Sequence, residues 1–385
     1  MNKLRAGIVG LGPIAQNAHL PAIEKSGGIH LQAIADTDAA LREQVCLRYR
    51  PATVHKHSDD LLADPNVDLV ILAVSDRFHV PLAKDALRAG KHVLVEKPLG
   101  ITTQECEELR SLIAPEQVFA VGCNRRFLPG VKAAKAFAAR SQTVASYNAF
   151  YYDSTFRHGL TQPNLFPVEM KSSGQITKAA GPDWKTTDRR IYNLLTHSPH
   201  ILDLAGHLVG PIEKVRAVHR ERDISPLGGQ SKTVCHIWHI DIGFLARPGE
   251  IEGATGHFEL VLPRHGEFAE GFKIETDLGH ALVEFPYVWF QREHRVEIYD
   301  AQAGTIARPE GQDTNTFRLQ LEALANTILN GAPLMNANLE DGIEAVRAMV
   351  AVGHSARQGG DWVNIEEVEG DLAHSYLKCA YVTTA

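Results

Sequence analysis

The sequence predicts an α/β fold in which a doubly wound parallel sheet is followed by a second domain with a large, mostly antiparallel sheet. Up to about residue 128, short apolar runs alternate with helical patterns. Nearly continuous apolar runs, such as residues 67–74, are typical of parallel strands that are buried on both faces. Beyond that point β-branched and aromatic positions alternate, and helical periodicity returns near the C-terminus.

The elements of the first domain are predicted from the apolar runs and the helical patterns between them. Strands are expected at residues 6–9, 31–35, 67–74, 92–95 and 118–122. Helices are expected at residues 14–25, 38–49, 80–89 and 102–113. Strands separated by helices of about 10–15 residues form βαβ units, and these assemble into a parallel sheet.

The second domain is predicted from two stretches with a strand-like alternation, residues 143–152 and 212–300. Pro248-Gly249 and Leu278-Gly279 are expected to form turns between strands. Helices are expected at residues 316–329 and 339–357. The predicted domains are residues 1–128 for the parallel sheet, 129–310 for the antiparallel sheet, and 311–385 for the C-terminal helices and tail.

Composition excludes several classes of protein. The 385 residues include 39 Lys and Arg against 46 Asp and Glu, a net charge of −7. A negative field repels phosphate backbones, which disfavours a nucleic-acid partner. There is no apolar run of the ~18–20 residues that span a bilayer, and no signal-peptide pattern. The five cysteines are scattered without a CxxC pair, which predicts a cytoplasmic protein with reduced thiols and no metal site.

The first predicted strand is followed by Gly10-Leu11-Gly12-Pro13-Ile14-Ala15, which has the pattern GxGxxA. Gly10 permits a tight turn from strand to helix, and Gly12 lets the backbone approach a pyrophosphate. The anion would then lie at a helix N-terminus, which favours negative charge. We therefore predict a dinucleotide site that includes Gly10, Gly12, Pro13, Ile14 and Ala15.

Asp36 ends the second predicted strand and is followed by Thr37. A carboxylate in this position can accept hydrogen bonds from an adenosine ribose and would repel a 2′-phosphate. No arginine follows directly, so NAD is favoured over NADP, with Asp36 and Thr37 as cofactor contacts. The alternative is that Asp36 caps the next helix, a role that Asp38 can also fill.

Glu96-Lys97-Pro98 follows the predicted strand at residues 92–95. Ligands of open α/β sheets lie beyond the carboxyl ends of the strands. Lys97 is therefore expected at the nicotinamide end of the site, where a partly desolvated lysine can shuttle a proton. The alternative is an ordinary surface lysine in a loop.

Three segments together resemble the glucose–fructose oxidoreductase, inositol 2-dehydrogenase and MocA family: Gly10–Ala15, Gly90–Pro98 with its EKP motif, and Gly122–Phe127. The resemblance implies an N-terminal Rossmann domain, a C-terminal α/β domain with an open sheet, and C-terminal helices that return to the first domain. It also implies NAD as cofactor, oxidation of a secondary hydroxyl of a sugar or cyclitol, and homo-oligomers formed through the open sheet.

The resemblance also implies roles for individual residues. Lys97 would hydrogen-bond the reacting oxygen, and Glu96 would lie beside the cofactor. Ser75 and His79 fall in a loop beside the dinucleotide, although the family commonly has Pro and Asn there. Asn124 and Arg125 fall in the segment that approaches nicotinamide and substrate.

The segment from Tyr192 to Leu204 departs from the family pattern, which is Asp, three residues, His, two residues, Asp. His200 and Asp203 match the second half, but Thr196 stands in place of the first Asp. His197 and His200 are three residues apart and share a helix face, and either imidazole can accept the hydroxyl proton. We favour His200 as the partner of Lys97, with His197 as substrate binder or alternate base.

The predicted substrate contacts are Lys97, Arg125, Tyr152, Trp184, Thr196, His197 and His200. Function is predicted as NAD-dependent oxidation of a sugar, glycoside or cyclitol hydroxyl to a ketone. One alternative is an enzyme that holds NAD tightly and oxidises its substrate transiently during another sugar conversion. A second alternative, from another class, is a non-catalytic NAD-binding regulator.

Overall fold

The computed structural model describes residues 3–154, 189–225, 233–285, 295–309 and 315–368. Contacts within the chain divide it into two compact units. The described residues of the first unit are 3–127 and 315–343, and all other described residues belong to the second unit. The predicted domain limits at residues 128 and 310 stay predictions.

The first unit contains a six-stranded parallel sheet in the order β3-β2-β1-β4-β5-β6. Its strands are β1 (Leu4–Val9), β2 (Ile29–Ala35), β3 (Thr53–His55), β4 (Leu69–Leu72), β5 (His92–Val95) and β6 (Phe119–Val121). The prediction of a doubly wound parallel sheet is confirmed. β3 was not predicted, because it has three residues and its central Val54 is exposed, so it shows no apolar run.

The helices of this unit are α1 (Leu20–Lys25), α2 (Ala39–Tyr49), α3 (Ser58–Leu62), α4 (His79–Arg88) and α5 (Thr103–Glu107). A π-helical turn, Ala15–His19, precedes α1. The Asp38 carboxylate accepts the amide hydrogens of Ala40 and Leu41 and so caps α2. Thr102 and Glu105 form a reciprocal capping box at α5, which explains why this short helix begins there.

The second unit is built on a nine-stranded sheet in the order β14-β13-β12-β11-β7-β10-β9-β8-β15. Neighbouring strands of this sheet are antiparallel except β7 and β10, which run parallel to each other. The predicted open and mostly antiparallel sheet is therefore confirmed. The strands are β7 (Val144–Ser154), β8 (Ile212–Asp223), β9 (Val234–Phe244), β10 (Thr255–Arg264), β11 (Ala269–Thr276), β12 (Gly279–Phe285), β13 (Arg295–Asp300), β14 (Thr305–Ala307) and β15 (Val363–Asn364).

Helices α6 (Pro129–Ala138) and α7 (Arg189–Leu208) pack on one face of this sheet. That face carries the large side chains of Tyr147, Trp238 and Phe258, which are fully buried. The Tyr147 hydroxyl donates a 3.3 Å hydrogen bond to the carbonyl of Ile201, so the polar end of this buried ring has a partner. Strand alternation thus separates a covered face of the sheet from an open one.

The C-terminal helices are α8 (Thr316–Asn330) and α9 (Leu339–Arg357), as the periodicity predicted. Gly331, with φ of 69°, adopts the left-handed conformation that ends α8. Leu321, Leu324 and Ala325 of α8 belong to the same buried cluster as the apolar residues of β1 and β2. Within the described residues, no helix is both long and apolar enough to cross a membrane.

Candidate functional site

The first part of the site is the loop between β1 and the following helix, at the centre of the parallel sheet. Gly10 has φ of 90°, and a Cβ atom there would lie 2.7 Å from the carbonyl oxygen of Ala73. Gly10 is therefore required by both backbone conformation and space. A Cβ at Gly12, in contrast, would have no neighbour within 4 Å, which leaves open space above the loop for a ligand.

Asp36, at the carboxyl end of β2, is buried beside this loop. One carboxylate oxygen accepts the amide hydrogen of Leu11 at 2.8 Å, and the other accepts that of Asp38, also at 2.8 Å. Asp36 therefore fixes the glycine-rich loop, whereas Asp38 provides the side-chain cap of α2. Thr37 is half-buried between them.

The strand order places the change of winding direction between β1 and β4, where open α/β sheets bind dinucleotides. The open space at Gly12 and the carboxylate at the end of β2 both fit NAD. The predicted contacts of Pro13, Ile14, Ala15, Asp36 and Thr37 stay predictions.

Glu96 follows β5 and forms a buried pair with His19, the last residue of the π-helical turn. His19 Nε2 lies 2.8 Å from Glu96 Oε1, and both side chains are almost inaccessible to solvent. Burial opposes ionisation of Glu96, but the hydrogen bond from His19 and the charges of His19, Lys97 and His79 outweigh it. The pKa of Glu96 is accordingly lowered, and its carboxylate is charged at neutral pH.

Lys97 is positioned through the same carboxylate. The second oxygen of Glu96 accepts the backbone N–H of Lys97 at 3.2 Å, and the peptide bond from Lys97 to Pro98 is cis. A Cβ at Gly122, after β6, would lie 3.1 Å from Glu96, so the neighbouring strand end leaves just enough room for this arrangement. The half-buried Lys97 therefore stands at the carboxyl edge of the sheet, as predicted from its position after β5.

The predicted cofactor contacts Ser75 and His79 follow β4: Ser75 lies in the loop, and His79 is the first residue of α4. Ser75 is exposed, whereas His79 is buried. His79 Nδ1 lies 2.6 Å from the carbonyl oxygen of Pro98, and Nε2 lies 3.1 Å from that of Val74. His79 thus links the loop after β4 to the EKP segment, and its contact with a cofactor stays a prediction.

Asn124 and Arg125 follow β6 and are both buried. The Asn124 amide donates a 2.9 Å hydrogen bond to the hydroxyl of Thr316, the first residue of α8. The next residue, Arg126, forms a two-pronged ion pair with Asp341, both contacts at 3.1 Å. These contacts hold the segment after β6, and the roles of Asn124 and Arg125 toward cofactor and substrate stay predictions.

In the second unit, His197 and His200 lie on α7. His197 is buried, and its Nδ1 lies 2.9 Å from the carbonyl oxygen of Asn193. Its Nε2 lies 3.7 Å from a carboxylate oxygen of Asp153 on β7, a distance that allows electrostatic attraction but exceeds a hydrogen bond. His200 and Thr196 are half-buried. A carboxylate near the histidine pair therefore comes from β7, although position 196 is threonine.

Tyr152 lies on the face of the sheet opposite to Tyr151, whose ring packs edge-on against His197. The Tyr152 hydroxyl donates a hydrogen bond to the carboxylate of Glu259. Burial, this hydrogen bond and the charge of Glu259 raise the pKa of Tyr152 to about 12. The structure therefore does not bring Tyr152 together with His197, and its substrate contact stays a prediction. Trp184 lies outside the described residues.

The sequence analysis missed two residues that lie beside predicted site residues: His19 beside Glu96 in the first unit, and Asp153 beside His197 in the second unit. His19 occupies the buried stripe of its helix together with Ala15, Ala18, Ala22 and Ile23. A histidine on an apolar stripe needs a polar partner, and that was the available signal. Nothing near Asp153 in the sequence connects it to His197, because the contact is made between a strand and a helix.

The fold and the glycine-rich loop define a nucleotide-binding α/β protein, and the first unit is similar to a known family. Residues 4–122 match the model of an oxidoreductase family with an NAD-binding Rossmann fold. Over this segment the chain is similar to the glucose–fructose oxidoreductase, inositol 2-dehydrogenase and MocA family. The predicted NAD-binding Rossmann fold is confirmed for this segment, and the match supports the predicted family.

Two curated relatives illustrate how far the similarity extends. The uncharacterized oxidoreductase YdgJ of Escherichia coli (strain K12) is 35% identical over 127 residues, which are 33% of this chain and 36% of YdgJ. Inositol 2-dehydrogenase of Salmonella paratyphi B is 35% identical over 109 residues, 28% of this chain and 32% of that enzyme. The chain thus matches only about a third of the length of these relatives.

The similarity to a solved structure extends over most of the chain. Scyllo-inositol dehydrogenase from Lactobacillus casei, with bound NAD(H) and scyllo-inositol, aligns with a TM-score of 0.68. The alignment covers 95% of this chain and 100% of that chain at 22% identity. At this identity the likeness shows a common fold.

The buried Glu96 carboxylate predicts a specific dependence of stability on pH. Because folding lowers its pKa, its contribution is fully present above the ordinary value of about 4.5 and is lost as the pH falls below it. At neutral pH, we expect Glu96→Gln to lower the free energy of unfolding by about 2 kcal/mol, the value of a hydrogen bond to a charged group. Chemical denaturation at neutral pH and at a pH of about 4 measures this.

The difference between the wild-type protein and Glu96→Gln should shrink at the acidic pH. Glu108→Gln is the matched control, because the Glu108 side chain is 54% exposed and pairs with Lys84 at the surface. It should change stability little at either pH. A constant difference between Glu96→Gln and the wild type across this range would mean that the Glu96 carboxylate is not held in its charged form.

Proposed function

We propose that this protein is an NAD-dependent oxidoreductase that oxidises a secondary hydroxyl of a sugar, glycoside or cyclitol to a ketone. The observation that carries the proposal is the placement of Lys97. Its backbone is fixed by the buried Glu96 carboxylate at the carboxyl edge of a sheet whose glycine-rich loop fits a dinucleotide. The relative named inositol 2-dehydrogenase supports a polyol as the substrate class.

The residues have distinct tasks in this proposal. When bound, NAD supplies the hydride acceptor. The oxygen that loses hydrogen gains negative charge during the reaction, and an ammonium group beside it stabilises that charge. We assign this task to Lys97, with His200 as the group that accepts the hydroxyl proton and His197 as substrate binder or alternate base. Imidazole suits proton transfer because it titrates near neutral pH.

The proposal is tested with the full-length protein, NAD and a panel of sugars, glycosides and cyclitols. We expect at least one compound to produce reduced nicotinamide, detected by its absorbance, and the ketone product by mass spectrometry. If NAD co-purifies and a sugar is converted without net reduction, the reaction is a transient oxidation. If NAD binds and no compound in a broad panel is converted, the protein is a regulator.

Asp36 predicts the choice between NAD and NADP. We expect Asp36→Ala to weaken NAD binding by about tenfold or more, because hydrogen bonds to a carboxylate contribute about 1.5–3 kcal/mol each. The same change removes the charge that repels a 2′-phosphate, so the ratio of NAD to NADP affinity should fall, although loss of the contact with Leu11 affects both nucleotides. Calorimetric titration of both nucleotides measures the two affinities.

The control for this change is Asp38→Ala. Asp38 has the same charge two residues away but caps α2. Its loss should lower stability and leave the ratio of NAD to NADP affinity unchanged. An Asp36→Ala variant that still excludes NADP would argue against a contact between Asp36 and the ribose.

We also propose, from the family resemblance, that copies of the chain associate through the open face of the nine-stranded sheet and that the protein acts in the cytoplasm. The open face carries charged and aromatic side chains in ordered contacts. Asp241 accepts hydrogen bonds from Arg216 at 2.7 Å and from His257 at 2.8 Å. The four described cysteines are free thiols, which agrees with a reducing compartment.

A further inference from the structure

A cluster of three side chains on β8 and β9 has the chemistry of a metal site. His219 and Glu221 are two residues apart on β8 and so share one face of the sheet. Glu221 is paired with His236 of β9 in the antiparallel register, which brings His236 to the same face. Within the described residues, this is the one group of three or more His, Cys, Asp or Glu whose ligand atoms lie within 4.8 Å of one another.

The distances among the ligand atoms fit a small divalent cation. His219 Nε2 lies 3.3 Å from His236 Nδ1, and Glu221 Oε1 lies 3.5 Å from the same Nδ1. In a tetrahedral zinc site with bonds of about 2.0–2.1 Å, neighbouring ligand atoms are about 3.3–3.4 Å apart. Two of the three separations therefore already have the length of an edge of the tetrahedron.

The surroundings hold these ligands in place and leave one side open. The His219 ring packs against Trp238, with centroids 4.4 Å apart, and Trp238 is fully buried. The His236 side chain is 9% exposed, whereas that of Glu221 is 50% exposed. Solvent can therefore reach the cluster from the Glu221 side and complete the coordination of a bound ion, as in open zinc sites with three protein ligands.

We propose that His219, Glu221 and His236 bind a divalent transition metal of the zinc type. Two imidazoles and one carboxylate suit zinc better than magnesium or calcium, which prefer oxygen ligands alone. This corrects the prediction of no metal site, which was based on the scattered cysteines, because the three ligands come together only across β8 and β9. The ion would tie β8 to β9, independently of the proposed oxidoreductase activity.

The test is a calorimetric titration of Zn²⁺ into the chelator-treated full-length protein. We expect saturable binding of one ion per chain and a higher unfolding temperature in its presence, because a ligand that binds only the folded state stabilises it. Glu221→Gln, an exposed and nearly isosteric change, should lower the affinity at least about tenfold, as should His236→Ala, since even outer-shell changes cost about 10–100-fold.

His239→Ala is the matched control. His239 is on the same strand but contacts Glu259 on the opposite face, so its loss should leave zinc affinity unchanged. The proposal is wrong if zinc does not bind saturably, or if both Glu221→Gln and His236→Ala bind zinc as tightly as the wild type. The three side chains would then be only a hydrogen-bonded cluster. If His236→Ala folds poorly, the zinc affinity of Glu221→Gln compared with that of the wild type still tests the proposal.

Discussion

Lys97→Ala is expected to lower kcat by about 10²–10³-fold, the usual effect of removing one group that stabilises charge in the transition state. The reason is that the substituted protein would lack the ammonium group that Glu96 holds at the edge of the parallel sheet through the backbone of Lys97. NAD affinity should change little, because the glycine-rich loop and Asp36 are on other elements. Steady-state kinetics with the substrate found in the panel, together with NAD titration, measures both effects.

Lys84→Ala is the control for Lys97→Ala. Lys84 is on α4 and forms a surface ion pair with Glu108. The substitution Lys84→Ala should leave kcat unchanged. Lys97→Arg keeps the positive charge and should recover part of the lost rate if charge stabilisation is the main contribution of Lys97. Wild-type turnover by Lys97→Ala would remove Lys97 from the reaction altogether.

His200→Ala is expected to lower kcat by a similar factor of about 10²–10⁴ and to change the pH profile of kcat. A group that must be deprotonated to accept a proton gives a rate that falls at acidic pH, and this limb should move when the imidazole is lost. His197→Ala should instead raise KM more than it lowers kcat, because we assign it to substrate binding. It should also reduce stability, since the His197 ring is buried against Tyr151.

His207→Ala is the control on the same helix. His207 lies two turns beyond His200, where it is half-buried and contacts Lys135 at 2.9 Å. Its loss should leave both kinetic constants unchanged. If His200→Ala retains the wild-type pH profile and His197→Ala loses it, the proton acceptor is His197.

Much of the fold could be predicted because its elements have strong local signals. The buried parallel strands β4 and β5 show continuous apolar runs, and α9 shows helical periodicity between the bounds that were expected. β3 is short and half-exposed, so its pairing with β2 decides its conformation. α6 was not predicted, although Pro129 at its first position is a regular helix start.

The candidate site also contains residues that have a local sequence signal and contacts that have none. The glycine-rich loop, Asp36 and Lys97 could be found because each is fixed by its position directly after a predicted strand. The pair of His19 and Glu96 joins residues 77 positions apart, and no local pattern encodes that contact. The zinc-type cluster depends on the register of β8 and β9, which follows from cross-strand packing and is not visible in either strand alone.

In the proposed reaction, hydride passes from a carbon of a polyol to NAD on this protein. The most direct measurement is mass spectrometry of the nicotinamide product after reaction with a polyol that carries deuterium on its hydroxyl-bearing carbons. We expect the wild-type protein to place one deuterium in the nicotinamide ring and Lys97→Ala to do so far more slowly. A substrate that is converted while the nicotinamide never acquires deuterium would contradict it.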